Sequence, residues 1–561
     1  MIRRMTGATA AVVCAAAAAF LQAQGRGGVE WTTSGFDAQR SAWVKTDPRL
    51  SPATLVKPGP FGPFKFLWKL KLEHDPKAVP ALTAPILLDR LIGFRGFKSI
   101  AFVATASETV HAIDFDYGAP LWKYHINYSA SPPPIVASTP ECPGGLVAAL
   151  SRPTSFASAT AGGRGGGGGG ARSGGGVGEP DKGAVTLAMA GQGRSGPAAA
   201  AAGAAAAPAA AAPGAQGAVP GSAASAAGNQ PGGLPGGARQ GGAGGGFVPG
   251  ADAAYALGSD GYLHALNVQN GWDNTTPALF LPANTRAVGL IVATSDEGAT
   301  AYAATTHGCG SQPDAVWAMD LASPQKTVTA FNVGSATIAG SSGPAIGRDG
   351  TVYIATADGT SPQSNSVFAL EPKRLTRKAS ATVPGARFNT SPVVFAWKDK
   401  DALFVGGGGK VYAFDAGALG GAPLAVSASS GSPDYETGAL ASWTDAHGTR
   451  WVVAGGPRGV TAFKLVERDG RPAFESGWTS REIVSPLPPL VVNGVVFAVS
   501  SGTRAVPAVL YGLDAATGRE LWSSLRSITS TVRGGLAAGQ GNVYVPGADG
   551  VLYAFGFEIE K

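Results

Sequence analysis

The chain has 561 residues, enough for several ordinary domains or for one large repeat architecture. Glycine is abundant at 83 residues, charged residues make up only 14%, and short apolar stretches recur between Gly, Pro, Asp and Ser, which is the texture of an all-β protein. The formal charge of +6 is scattered rather than clustered, which argues against nucleic acid as a partner, because phosphate binding needs a concentrated basic face.

Residues 1–23 join Arg3 and Arg4 to an apolar stretch ending in Leu21-Gln22-Ala23, the pattern of a secretory signal cleaved near Ala23. The rival reading is a lipoprotein signal using Cys14, against which Val13 stands where a small residue is expected. Cleavage leaves 41 of the 43 basic residues against 37 acidic ones, a formal charge of +4. No later apolar run approaches the roughly 18 residues needed to span a bilayer, so no transmembrane segment is expected and the mature chain is read as periplasmic or secreted, and as a monomer. Two cysteines remain, Cys142 and Cys309. In an oxidising compartment they can pair, or they can be two free buried thiols; the sequence leaves both open.

Past the leader, FLWKLKL at 66–72 reads as a lone strand with no blade of its own. One apolar segment then recurs with a small residue at its centre: TVHAIDF, YLHALNV, AVWAMDL, SVFALEP, KVYAFDA, GVTAFKL, VLYGLDA and VLYAFGF. The central residues are Ala112, Ala265, Ala318, Ala369, Ala413, Ala462, Gly512 and Ala554, and from Ala265 onward they are spaced by 53, 51, 44, 49, 50 and 42 residues. Eight copies at such spacing predict an all-β, eight-bladed propeller of four-stranded antiparallel blades. Around them, PLVVNGVVFAVSSG, AVLYGLDAATG and RELWSSL read as alternating strands and turns. Asn493-Gly494, Asp349-Gly350, Asp358-Gly359, Asp260-Gly261 and Asp549-Gly550 are each expected to supply the positive φ of a tight hairpin. The last copy runs almost to Lys561 and lacks an outer strand, so the strand at 66–72 is expected to close the ring by pairing with the final blade.

The chain therefore divides into a signal (1–23), a closing strand with blade 1 and the start of blade 2 (24–154), a Gly/Ala/Pro-rich insertion (155–250), and the rest of blade 2 through blade 8 (251–561). The insertion includes RGGGGGGARSGGG and AAAAAGAAAAPAAAAPG, which cannot bury enough apolar surface to offset ordering entropy and is read as disordered.

VLYGLDAATGRELW, from Val509 to Trp522, and VHAIDFDYGAPLW, from Val110 to Trp122, resemble the repeat of the quinoprotein-like, pyrroloquinoline-quinone (PQQ) propeller family. That family includes quinoprotein alcohol dehydrogenases and an outer-membrane barrel-assembly lipoprotein. The resemblance implies that Trp68, Trp122 and Trp522 dock against adjacent blades, whereas ASPQKTVTAF and RLTRKASATV lack the tryptophan. In the enzymes of the family PQQ sits on the axis between a tryptophan and a vicinal disulfide, beside a calcium held by carboxylate and amide groups. No adjacent cysteines, acidic calcium loop or C-x-x-C-H haem signature occurs here.

No catalytic residue can be named, and no metal site is expected. His307 and Cys309 in THGCG lack further ligands at metal spacing, and His111 and His264 recur at one repeat position as strand packing. Gly406 to Gly409 read as an inter-strand turn and Asp349 as a hairpin residue; Asp114, Asp320, Asp415 and Asp514 recur as turn formers. The expected function is that of an exported, non-catalytic scaffold for protein or glycan partners in the cell envelope, with no cofactor. A PQQ- and calcium-dependent dehydrogenase acting on alcohols or sugars is the alternative.

Overall fold

The computed structural model describes residues 30–73, 82–93, 96–126, 142, 150–156, 252–429 and 438–558, all within one compact unit. The signal with Cys14, and all but the first two residues of the insertion, lie outside them.

Eight small antiparallel sheets form an eight-bladed β-propeller. Blade 1 comprises Ile86–Gly93, Gly96–Ala104, Thr109–Asp114 and Ala119–His125. Blade 2 has Ala253–Leu257, Tyr262–Asn267 and the two-residue strand Ala278–Leu279, and Ser151 bridges to Tyr255 at its inner edge. Blade 3 is Ala287–Ser295, Gly298–Thr305, Ala315–Asp320 and Val328–Asn332, with Pro153–Ser155 added in parallel to its inner strand. Blades 4 to 7 begin with Ala345–Ile346, Val393–Trp397, Ala441–Thr444 and Leu490–Val492. Every central small residue of the repeat lies on the third strand of its blade, and the small side chain lets the next blade approach closely.

Blade 8 closes the ring. Its inner three strands, Ala537–Gly539, Asn542–Pro546 and Val551–Gly556, come from the C-terminus, and the fourth, Lys65–Lys71, comes from the N-terminal region. Trp68 pairs opposite Ala554, and Lys65 meets Glu558 in an ion pair. Closure removes two free sheet edges at once.

Most hairpin dipeptides behave as their chemistry requires. Asn493 (φ 42°) and Gly494 (φ 85°) make a tight two-residue turn, and Gly261, Gly350 and Gly550 also take positive φ. Asp358-Gly359 differs: Gly359 is not left-handed, and the dipeptide lies in the longer connection between Val352–Ala355 and Ser366–Leu370, where Asn365 takes the positive φ instead. With ten residues to turn, the chain needs no two-residue hairpin there.

The residues before the closing strand have a role that their unpatterned sequence does not announce. Glu30 to Leu50 run along the inner edges of the blades. Carbonyls of Trp31, Ala38, Gln39, Ser41 and Ala42 accept from the backbone N–H of Leu87, Ile346, Val394, Ser442 and Val491, which belong to blades 1, 4, 5, 6 and 7. Trp43–Val44 adds a parallel strand to blade 7, Thr33 donates to Leu290 of blade 3, and Asp47 accepts from Gly541 of blade 8. The inner strands of blades 1 and 4 to 7 thereby find acceptors in one segment, which a short helix, Pro52–Val56 capped by Ser51, follows.

Candidate partner-binding face

The axial segment places charge where water is excluded. Arg40, 1% exposed, donates to Pro344 O (2.8 Å), Gly289 O (2.7 Å) and Thr33 Oγ1 (2.8 Å). Burial lowers its pKa to about 9, opposed by Asp37. The Asp37 carboxylate accepts from the backbone N–H and hydroxyl of Ser41, and burial pushes its pKa up. Arg450, with its guanidinium over Phe395 (4.8 Å) and Trp43 (5.8 Å), is lowered by burial to about 10.

This donor set does not fit a calcium–quinone group. Along the axial segment the polar groups are the buried guanidinium ions of Arg40, Arg152 and Arg450, backbone carbonyls, the hydroxyls of Thr33, Ser34, Ser342 and Ser391, and three carboxylates already engaged: Glu30 by Arg152, Asp37 by Ser41, and Asp47 by the N–H groups of Arg49, Leu50 and Gly541. A divalent cation beside such arginines meets repulsion, and the nearby carboxylates of Glu30, Asp37 and Asp47 are already committed to other partners. The cysteines are joined to each other, Cys142 to Cys309 with Cα atoms 5.6 Å apart, so the bridge links positions 167 residues apart rather than neighbours. It also removes the Cys309 thiolate from any metal chemistry with His307. Among the described residues no group of three or more His, Cys, Asp or Glu side chains could hold a metal ion.

The other sequence candidates serve the blades. Asp114, Asp320, Asp415 and Asp514 accept backbone N–H groups two or three residues on and so fold the turns before the outer strands. Asp349 does the same for Thr351, and Gly408 and Gly409 make the turn between Lys400–Gly407 and Lys410–Asp415. His264 is buried with its Nδ1 3.0 Å from Asp273, and burial lowers the His111 pKa to about 4.

The tryptophans follow one rule. Trp68 Nε1 donates to Phe115 O, Trp122 Nε1 to Val268 O, and Trp478 Nε1 to Ala515 O, each on the next blade around the ring. Each indole lies over a glycine three residues beyond that carbonyl: Gly118, Gly271 and Gly518, all at positive φ. A Cβ on Gly118 or Gly271 would come within 2.5 Å of the indole. Trp522 has no such turn to meet and packs edge-on against Phe64 (4.8 Å) and against Phe555 (5.6 Å). Sequence reasoning missed Trp478. Its signal was Gly518 in the following blade, four residues after Asp514.

One face offers groups to a partner. The connections between second and third strands, and between one blade and the next, share a side of the propeller. In blades 6 to 8 they are tied by backbone hydrogen bonds: Ser485 to Pro457, Ser501 to Ser485, Val532 to Ser501 and Ala548 to Thr531. These loops carry Arg458, Arg481, Arg504, Arg526 and Arg533 against only Glu482 and Asp549, and Arg481 alone of the five arginines is drawn to a strand carboxylate, Glu520. Val484, Val506 and Leu525 are 57%, 64% and 72% exposed among them. Exposed arginine interleaved with apolar side chains on a rigid tier is the composition of a protein-binding surface.

The class defined by this fold is an eight-bladed propeller of PQQ-like repeats. Residues 407–557, the end of blade 5 through blade 8, match the PQQ_2 family model, described as outer membrane protein assembly factor BamB. No curated protein sequence matches. Among solved structures, the quinohemoprotein alcohol dehydrogenase of Comamonas testosteroni is 12% identical (TM-score 0.54), with 97% of this chain and 82% of that one covered. The quinohemoprotein alcohol dehydrogenase ADHIIG of Pseudomonas putida HK5 is 10% identical (TM-score 0.53; 95% and 81% covered), and a europium-containing methanol dehydrogenase 10% identical (TM-score 0.50; 94% and 98% covered). At these identities the likeness is one of fold. It agrees with the repeat resemblance in the sequence.

Proposed function

We propose that this chain is an exported, non-catalytic propeller scaffold that binds a protein partner in the cell envelope through the loop face of blades 6 to 8. The observation that carries the reading is the net basic, partly apolar tier formed by Arg458, Arg504, Arg526 and Arg533 with Val484, Val506 and Leu525. It lies in the part of the chain matched by a family model described as an outer membrane assembly factor. The favoured partner surface is acidic with an apolar centre, because arginine forks recognise carboxylates bidentately and the aliphatic groups supply desolvated contact area. Export, in turn, rests on the leader-like residues 1–23.

The test is cross-linking in intact envelopes of the wild type and of an Arg458→Glu/Arg504→Glu/Arg533→Glu variant, with Arg471→Glu on the opposite face as control. The expected result is loss of the cross-linked partner in the triple variant alone, with unchanged circular dichroism. Purified protein is titrated in parallel with PQQ in calcium buffer and assayed for dye-linked oxidation of alcohols and sugars. Saturable quenching with dye reduction would replace the scaffold by a dehydrogenase.

A further inference from the structure

The junctions between blades are closed in different ways, and one is left open. Where a tryptophan is present, its indole N–H reaches the carbonyl one residue after the turn-forming Asp or Asn, and a glycine four residues after that Asp or Asn makes room for the ring. At the junctions of blades 3/4 and 4/5, Thr329 opposite Ala318 and Ala379 opposite Ala369 stand where the indoles would. There the turn closes the gap itself: Leu375 and Leu419, each four residues after the turn-forming Glu371 or Asp415, are buried at 2% and 9% exposure. Tyr353 even supplies the missing donor, its hydroxyl reaching Ala416 O (3.2 Å).

Blades 2 and 3 have neither device. Between the pairing of Ala278 with Leu263 and the bridge of Leu266 to Asp273, the outer-strand residues that face Ala265 are Thr275 and Thr276, both exposed, and the turn of blade 3 carries Pro324, also exposed, four residues after Asp320. A cavity of about 440 Å³ remains. Its walls are those that surround an indole elsewhere: Ala265 and Tyr255, equivalent to Ala112 and Phe102 around Trp122, face Leu321, Ala322 and Met319 of blade 3. The Leu321 carbonyl, equivalent to the acceptors of Trp68, Trp122 and Trp478, takes instead the ammonium of Lys326 (2.6 Å). The cavity thus keeps wall residues and the carbonyl acceptor of an indole site, while none of the residues lining it is a tryptophan.

We propose that this notch between blades 2 and 3 is a binding site for a small planar aromatic molecule of indole size. The ring lies on Ala265 against Tyr255, Met319 and Leu321, and a ring N–H replaces Lys326 at the Leu321 carbonyl. Mostly apolar walls with a few convergent polar groups are what such a ligand needs, and the Asn274 and Thr276 side chains at the rim leave an entry.

Calorimetric titration of the mature chain with indole tests this. One-to-one saturable binding with Kd of about 1 mM or tighter is expected, an affinity modest for a ligand of so few atoms. Thr275→Trp, which restores the chain's own indole, and Ala322→Phe, which fills the notch from its solvent-exposed side, are each expected to weaken indole binding at least about tenfold while melting at or above the wild-type temperature. Thr275→Ala is expected to bind indole like the wild type. Absence of saturable binding to the wild type, or undiminished binding to a folded filled variant, would overturn the proposal.

Discussion

Half of this ring is held by tryptophans and half is not, although both halves are built from the same repeat. From blade 6 through blade 8 to blade 1 each outer strand carries an indole, and the interiors of three successive junctions merge into one core from Ala441 to Phe557 that includes Trp31 and Phe115. From blade 2 to blade 5 the tryptophan position is Thr275, Thr329, Ala379 or Ala425, and each junction has its own smaller cluster. The repeat therefore specifies a blade, but the contact between blades is made twice over, once by a large ring in a glycine notch and once by leucine from the turn. The tryptophan is dispensable where leucine fills the junction, as between blades 3 and 4 and between 4 and 5, and between blades 2 and 3 the loss of both leaves a cavity.

The comparison can be broken most severely at the closure. Deleting residues 24–72 removes the outer strand of blade 8 and the segment along the inner strands of blades 1 and 4 to 7; the melting temperature is expected to fall by more than about 10 °C, with loss of a single transition, since each unpaired edge and vacated core position adds its cost. An unchanged calorimetric melt would contradict the closed ring. Next in size, Trp478→Ala is expected to destabilise by about 2 kcal/mol in urea unfolding, because the indole is partly buried and hydrogen-bonded, whereas Thr275→Ala changes stability by less than about 0.5 kcal/mol. Equal effects at both positions would erase the distinction between the halves. Gly518→Ala, which sets a Cβ against Trp478 at φ 72°, is expected to cost roughly 1–2 kcal/mol, and Trp478→Ala should remove the part due to the ring contact while the cost of an alanine at positive φ remains in the double variant.

The smallest effect concerns pH. His111, at the junction of blades 8 and 1 beside Glu73, is held below its usual range at about 4 by burial, so between pH 6.5 and about 4 the unfolded chain binds the extra proton and stability falls as pH falls. His111→Gln is expected to flatten that acid limb of the melting temperature by a degree or two and leave the value at pH 7.5 close to wild type. An acid limb as steep as the wild type would place the titrating group elsewhere.

Much of this was legible in the sequence. The third strand of each blade announces itself because strand alternation and a small central residue are local, and Asn493-Gly494 or Asp549-Gly550 carry their backbone requirement in two residues. Closure was legible as well, since FLWKLKL had no blade and VLYAFGF had no outer strand. The docking of Trp478 was not read, because its partner Gly518 lies in another blade and nothing near Trp478 marks it. Nor did Glu30 to Leu50 show their path: a segment that passes from blade to blade around the ring, with one or a few contacts at each, has no period to betray it. The pairing of Cys142 with Cys309 stayed open for the same reason, their separation being a matter of how the ring folds.

The sequence alone determined the number of blades, the strand carrying each repeat, the turns and the closure, because these follow from backbone preference and from alternation over a few residues. Only the tertiary structure decided which junctions use tryptophan and which leucine, that Arg40 and Arg450 are buried against the axial segment, and that one notch between blades 2 and 3 is left without a ring. Those depend on side chains brought together from distant repeats, where packing and desolvation rather than local propensity set the outcome.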